Sequence, residues 1–290
     1  MTRLSALDEV GTLTRVVLKH ARDAFVSQDD LSAQWQALGF TAEPDFHRAA
    51  DEYDAFAQIF VDAGVDVLWL PRDDRVGPDS IYVRDATALV PGGLVVCSMG
   101  KRLRVPEPEA QRAALGPAVA VAGDIAAPGT LEGGDVVWLD ATTVAIGRGY
   151  RTNEEGIRQF AELVGPDVTT IVVPLPHWRG SGDVFHLMSM LSPVDRDLAV
   201  VYAPLLPVPF REALLERGWQ FVDVPDDEFE SMGANVLALG PRRCVMLEGN
   251  PETQRRLEAA GAEVMTYGGH DVSVKGGGGP TCLSRPLVRQ

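Results

Sequence analysis

The stretch Asp135–Pro174, DVVWLDATTVAIGRGYRTNEEGIRQFAELVGPDVTTIVVP, holds one complete structural unit. Two apolar runs, VVWL and TVAI, flank Asp-Ala-Thr, which is the chemistry of a tight hairpin turn. A helical stretch then opens on Thr152 or Asn153 as N-cap and closes on Gly165. TTIVVP reads as a further strand. The rhythm is strand, strand, helix, strand.

The rhythm recurs along the chain. LVPGGLVVC (Leu89–Cys97) turns at Pro-Gly-Gly, and NVLALGPRRCVML (Asn235–Leu247) turns at Gly-Pro-Arg. TRVVLKH, DVLWLP, DLAVVYAPLLP, QFVDVP and EVMTYG read as single strands. EPDFHRAADEYDAFAQIFVDAG, PFREALLERG and NPETQRRLEAAG read as helices that end on glycine. Several such units imply radial or barrel-like repetition rather than a doubly wound sheet. Residue identities do not repeat, so the inference rests on pattern alone.

The chain has 290 residues, 46% of them hydrophobic, enough for one large core. Its formal net charge of -15 argues against nucleic acid and against an anionic membrane surface. An acidic pocket for a small cation remains compatible with it. MTRLSALDEVGTLTRVVLKH lacks the apolar core of a signal peptide, and no apolar run approaches the ~20 residues of a membrane span. Cys97, Cys244 and Cys282 show no pairing pattern, so free thiols in a reducing, cytoplasmic setting are expected.

Four glycines, Gly276 to Gly279, lead through Pro280 and Thr281 to Cys282. Bare backbone lets a ligand approach a thiol closely, and a nucleophilic thiol needs a lowered pKa. The plainer alternative is a buried structural cysteine, the reading given to Cys97 and Cys244 inside apolar hairpins. A cysteine nucleophile needs a histidine elsewhere in the chain. His186, in GSGDVFHLMSML, is the candidate, and His270 is the reserve. Glu132 and Asp135 bracket two glycines at a strand start. Asp79 and Asp85 flank what reads as a short strand, on which they would share a face and suit a bound cation.

Taken in order, DSIYVRD, TLEGGDV, YRTNEEG, FHLMS and GGGGPTCLS resemble the guanidine-modifying, or pentein, superfamily across residues 79–284. The likeness is greatest to the dimethylarginine dimethylaminohydrolases and extends to arginine deiminases and amidinotransferases. It implies an α/β fold, a five-bladed pseudo-symmetric propeller of strand-strand-helix-strand units, formed by residues 1–290 as a single domain. The number five comes from the resemblance. Residue by residue, it makes Cys282 the nucleophile and His186 the acid and base, with Glu132 holding a guanidinium nitrogen. It puts Asp79 and Asp85 on the substrate and Arg151 on an α-carboxylate. Arg104 is the second basic residue, with Arg102 as the alternative. Asp183 would orient His186 or touch substrate.

The implied reaction is hydrolysis of a methylated arginine through a covalent thiouronium, giving citrulline and an amine, with no cofactor and no metal. The implied partner is a small cationic guanidino compound, and a homodimer stays open. Arg84 departs from the dimethylarginine enzymes, which carry Glu there. Leu187-Met188 departs from the His-x-Asp of arginine deiminases. By the resemblance, Arg84 and Met188 would line the region that sorts guanidine substituents. Arginine deiminase, or a hydrolase or amidinotransferase of another guanidino compound, is the alternative. A non-catalytic propeller is the alternative of another class, although it would have no use for Cys282, His186 and Glu132 together. Two loops, LSALDEVG and HWRGSG around Trp178, read as mobile.

Overall fold

A computed structural model describes residues 5, 7–182 and 185–290. Its strands fall into five sheets of three. The first contains β1 (Leu13–Leu18) and β2 (Asp66–Trp69). The second contains β3 (Thr87–Val90), β4 (Gly93–Val96) and β5 (Val121–Asp124). The third contains β6 (Val136–Asp140), β7 (Thr143–Arg148) and β8 (Thr169–Pro174). The fourth contains β9 (Leu191–Asp195), β10 (Leu198–Val201) and β11 (Gln220–Asp223). The fifth contains β12 (Leu237–Gly240), β13 (Arg243–Leu247) and β14 (Glu263–Tyr267). The last strand, β15 (Arg285–Arg289), returns to pair with β1 and completes the first sheet.

All five sheets obey one rule. The middle strand pairs antiparallel on one side and parallel on the other. A parallel partner demands a crossover, and a helix supplies it each time. The crossovers are α1 (Ala21–Phe25), α2 (Gln28–Leu38) and α3 (Phe46–Asp62) in the first blade, then α4 (Glu107–Leu115) and α5 (Glu154–Val164) in the second and third. In the fourth blade α6 (Val208–Glu216) crosses over and α7 (Asp226–Phe229) follows β11; α8 (Pro251–Ala259) serves the fifth. The antiparallel hairpins turn in two residues, at 91–92, 141–142, 196–197 and 241–242. At the third-blade turn Thr142 N–H donates to Asp140 Oδ1 at 2.8 Å. At the fifth, Arg242 takes φ +56°. This is the five-bladed α/β propeller that the resemblance implied.

Core side chains come from adjacent blades together. Val137 and Ala145 of the third blade, Val200 of the fourth and Met246 of the fifth belong to one apolar cluster. Cys97 and Cys244 are buried among such residues, as their hairpin context implied. Asn153 caps α5 by accepting from Gly156 N–H at 2.8 Å, and Gly165 ends that helix at φ +88°.

Three strands escape the sequence pattern. β5 contains Gly123, β9 contains Pro193, and β15 contains Pro286 and two arginines. The expected strand around Asp79–Asp85 is absent. Residues Pro78–Ile81 form a short 3-10 turn, and the strand begins only at Thr87. Pro78 fixes φ at the start of that turn and favours the helical entry.

Candidate active site

Five side chains reach one place from five blades. Asp85 precedes β3, Glu132 precedes β6, His186 precedes β9, Asn235 precedes β12 and Cys282 precedes β15. Each lies two to five residues ahead of the strand that pairs antiparallel with the middle strand of its blade. The fold thus repeats a position, and each repeat carries a different functional group.

Glu132 is fully buried, and its Oε2 lies 2.7 Å from His186 Nε2. Its Oε1 accepts from Gly100 N–H at 2.9 Å and Lys101 N–H at 3.1 Å. Arg151 Nη1 stands 3.4 and 3.5 Å from the same carboxylate. His186 Nδ1 faces Asp85 Oδ1 at 3.8 Å. Burial alone would lower the imidazolium pKa; Asp85, Asp135 and Glu132 outweigh it and push it up to about 9. Burial alone would raise Glu132; its bond to His186⁺ and the charges of His186 and Arg151 hold it at about 2. Glu132 and His186 are therefore a carboxylate–imidazolium pair.

The sequence motifs explain how that pair is fixed. Asp135 Oδ1 accepts from Leu187 N–H at 3.0 Å, and its Oδ2 accepts from Thr152 Oγ1–H at 2.6 Å. Thr152 Oγ1 in turn accepts from Glu132 N–H at 3.1 Å. His186 N–H donates to Ser189 Oγ at 3.0 Å. TLEGGDV, YRTNEEG and FHLMS are thus one network. A Cβ at Gly134 would strike Asp85 Oδ1 and the His186 ring, so the imidazole packs on bare backbone.

The glycine run has the same logic. Side chains at Gly276 or Gly278 would collide with the Tyr82 ring, and one at Gly279 would collide with Asn235. Gly277 adopts φ +75°. The loop therefore lies flat on Tyr82 and brings Cys282 beside Asn235, whose Nδ2–H donates to Sγ at 3.4 Å. Asn235 Oδ1 accepts from Thr281 N–H at 3.0 Å and Thr281 Oγ1–H at 2.9 Å. Burial pushes the Cys282 thiol up, and Asp85 adds to it; hydrogen bonds from Thr281 and Asn235 offset part of this. These surroundings by themselves favour the thiol over the thiolate.

Asp79, Asp85, Arg104, Arg151, His186 and Cys282 line one small cavity, together with Lys101. Arg104 is buried and engaged: Nη1 donates to Asp85 Oδ2 at 2.6 Å, Nη2 to Glu107 Oε2 at 2.8 Å and to Tyr82 O at 3.0 Å. It anchors Asp85. Among the described residues, Asp85 Oδ1 is a buried carboxylate oxygen without a hydrogen-bond partner. A larger space, also lined by His186 and Cys282, is walled by Trp178, Phe185, Phe229 and Met232.

Several expected residues stand elsewhere. Arg84 is buried outside the cavity lining, where Nε donates to Thr281 O at 3.0 Å and Nη1 to Glu9 Oε2 at 3.3 Å. It supports the cysteine loop from behind. Met188 packs in the apolar core. Arg102 is exposed. His270 has a side chain 62% exposed and pairs with Asp271, away from the cavity. Asp183 lies outside the described residues. Lys101, Glu107 and Asn235 were not anticipated. For Asn235, the telling signal was its place just ahead of a blade's first strand.

Asp85, Glu132 and His186 also bring one potential ligand atom each within 4.8 Å of one another. A metal would have to displace the imidazole proton that Asp85, Asp135 and Glu132 favour. The trio suits an organic cation better.

A family model described as N,N dimethylarginine dimethylhydrolase, eukaryotic, matches residues 27–289. The chain belongs to this dimethylarginine hydrolase family. It is accordingly an enzyme, a hydrolase of guanidino compounds within the superfamily that the ordered motifs resembled. It is 30% identical over 221 residues to the N(G),N(G)-dimethylarginine dimethylaminohydrolase of Streptomyces coelicolor, covering 74% of this chain and 77% of that one. It is 32% identical over 192 residues to the arginine deiminase of Mycobacterium marinum, covering 55% of this chain and 46% of the deiminase. The chain thus spans about half the length of that deiminase. A mutant dimethylarginine dimethylaminohydrolase of Pseudomonas aeruginosa, solved with citrulline, shares the fold at a TM-score of 0.75 and 22% identity, covering 94% of this chain and 98% of that one.

Proposed function

We propose that the protein hydrolyses the guanidinium of a methylated arginine to citrulline and a methylamine, and that residues 1–290 act as a single catalytic domain. One observation carries the reading. Asp85 lines the cavity that also holds Cys282 and His186, and its buried Oδ1 makes no hydrogen bond. A buried carboxylate oxygen without a donor is costly, and a guanidinium N–H is the donor that matches it. A bound guanidinium also cancels the field of Asp85 on Cys282, which favours the thiolate. Substrate and nucleophile are thereby activated together.

The steps follow from the pairings. The Cys282 thiol gives up its proton to solvent as the guanidinium binds, and the thiolate attacks the guanidinium carbon. His186, kept protonated by Glu132, gives its proton to the departing amine as the carbon–nitrogen bond breaks. A thiouronium remains on Cys282. Neutral His186 then takes a proton from water, the hydroxyl adds to the carbon, and the carbon–sulfur bond breaks as the hydroxyl proton passes to sulfur, which releases the ureido product and restores the Cys282 thiol. Glu132 orients the imidazole and stabilises its charge. Arg151, loosely held by Glu132 and lining the cavity, offers a cation to the substrate carboxylate. The paired β1 and β15 bind the two ends of the chain into one sheet, which supports a single domain. The three free thiols support the cytoplasmic setting. Among the described residues no helix is long and apolar enough to cross a membrane.

The likeness to arginine deiminase keeps one other outcome in view, release of ammonia from unmethylated arginine. The deciding experiment incubates purified protein with arginine, monomethylarginine and asymmetric dimethylarginine, with Cys282→Ser as control. Citrulline with dimethylamine is the expected result, absent in the control. Citrulline with ammonia from arginine alone would make it a deiminase. No product, together with a Cys282 unreactive to alkylation at mild pH, would leave only a binding propeller.

A further inference from the structure

The cavity already contains an ammonium of its own. Lys101 Nζ donates to Asp79 Oδ2 at 2.6 Å and to the carbonyl oxygen of Leu38, the last residue of α2, at 2.5 Å. A carboxylate and a carbonyl at such distances are what any primary ammonium needs. Lys101 and Asp79 both line the cavity, with Arg151 as a further cation. A zwitterionic amino acid brings three charged groups: a guanidinium, a carboxylate and an α-ammonium. Asp85 Oδ1 suits the first, and Arg151 with Lys101 suits the second. The third has no comparable claim, because Arg104 is bonded to Asp85 and Glu107, Glu132 is paired with His186, and Asp79 is already neutralised by Lys101.

We infer that Lys101 is a specificity-determining residue whose ammonium competes with the substrate's α-ammonium for Asp79, so that the site favours guanidino acids with a carboxylate but no α-amino group more than a cavity without Lys101 would. This rests on the hydrolytic reading above. The chemical class concerned is the ω-guanidino carboxylic acid. Lys101 and Arg151 face its carboxylate, and no protein ion pair has to open. An α-amino acid must displace Lys101 from Asp79 or bind with its ammonium unpaired.

The test compares two substrates that differ only in the α-ammonium: dimethylarginine and its des-amino analogue, the 5-(dimethylguanidino)pentanoic acid. The ratio of their kcat/KM values is measured for the wild type and for Lys101→Met. The variant should raise the ratio in favour of the amino acid by roughly tenfold or more, since a charge-assisted pair is gained on one side and lost on the other. A Lys101 that merely ties Leu38 to the cavity wall would change both substrates alike. A ratio unchanged, or moved the other way, overturns the inference. Asp79→Asn gives a second reading with the opposite sign, because it takes away the carboxylate that the α-ammonium would gain. Protection of Cys282 from iodoacetamide by the same two compounds reads the preference without turnover. A protection ratio that shifts while neither compound is hydrolysed would uphold the role of Lys101 and sink the hydrolytic reading. An unmoved protection ratio would sink the inference itself.

Discussion

Asp79 and Asp85 come from the same segment, DSIYVRD, and both are buried against the same cavity, yet they meet the cavity differently. Asp79 holds Lys101 at 2.6 Å, with Arg104 at 4.0 Å behind it. Asp85 gives one oxygen to Arg104 and leaves the other without a hydrogen bond, in a long ion pair with His186 at 3.8 Å. The first carboxylate is satisfied before substrate arrives. The second is left with an unmet demand beside the nucleophile. Desolvated charge in this state binds a matching cation strongly, because the cost of drying it is already sunk into the fold.

The comparison makes its strongest claim for Asp85→Asn. The amide keeps an oxygen for one N–H but removes the charge opposite a buried cation, a change that costs about 2–5 kcal/mol. A fall in kcat/KM of roughly thirty- to several-thousandfold should follow. Steady-state kinetics on the best guanidine, beside Asp79→Asn, measures it. Asp79→Asn should act chiefly on KM. Equal losses in kcat from both variants would erase the distinction between the two carboxylates.

Glu132→Gln tests the other neighbour of His186. Glu132 helps raise the imidazolium pKa to about 9, so its removal lowers that pKa and the alkaline limb of kcat/KM should move to lower pH. A loss of roughly a hundredfold near neutrality is expected for weakened acid–base work. Stability carries the same signature. A raised histidine pKa stabilises fully below its ordinary 6.5 and loses the contribution as pH climbs through about 9. A depressed glutamate pKa stabilises fully above its ordinary 4.5 and loses the contribution as pH falls through about 2. Both contributions are complete between pH 4.5 and 6.5. Melting temperatures of wild type and variant should differ most there and converge toward either extreme. A gap that stays constant with pH would show that the pair is not ionised as described.

Much of this architecture was legible because its signals are local. The hairpin turns and the glycine stops of α3 and α5 announce themselves in a few residues. β9 and β15 did not, because Pro193 and Pro286 speak against strands; β9 takes its place from β10 across a two-residue turn, and β15 from β1 at the other end of the chain. The ordered motifs exposed Cys282, His186 and Glu132, and their side chains do meet or share one cavity. The pairing among them was not legible. Glu132 was expected to hold a guanidinium, and only the fold places His186 at 2.7 Å and leaves Asp85 Oδ1 open. Arg84 was misplaced for a related reason. A one-residue step from Asp85 turns its side chain away from the cavity toward Glu9 and Thr281. Lys101 escaped notice because a lysine in GKRLRV carries no sign of the carbonyl of Leu38, 63 residues earlier.

The smallest effect belongs to Asn235, where the satisfied and the demanding parts of the site meet. Its oxygen is fully used by Thr281, while its Nδ2–H makes one weak bond to the sulfur. Asn235→Ala removes a neutral hydrogen bond of about 0.5–1.5 kcal/mol at the nucleophile and frees the Thr281 donors. Activity should fall roughly two- to tenfold. Alkylation of Cys282 by iodoacetamide across pH should show its thiol titrating higher than in the wild type. Asn235→Asp separates the two functions of the side chain. It still accepts from Thr281, so the loop keeps its anchor, but it sets a negative charge beside the sulfur and should raise the thiol pKa further than alanine does. If aspartate instead behaved like wild type, the amide would matter only as the anchor of Thr281, and the field at Cys282 would belong to Asp85 alone.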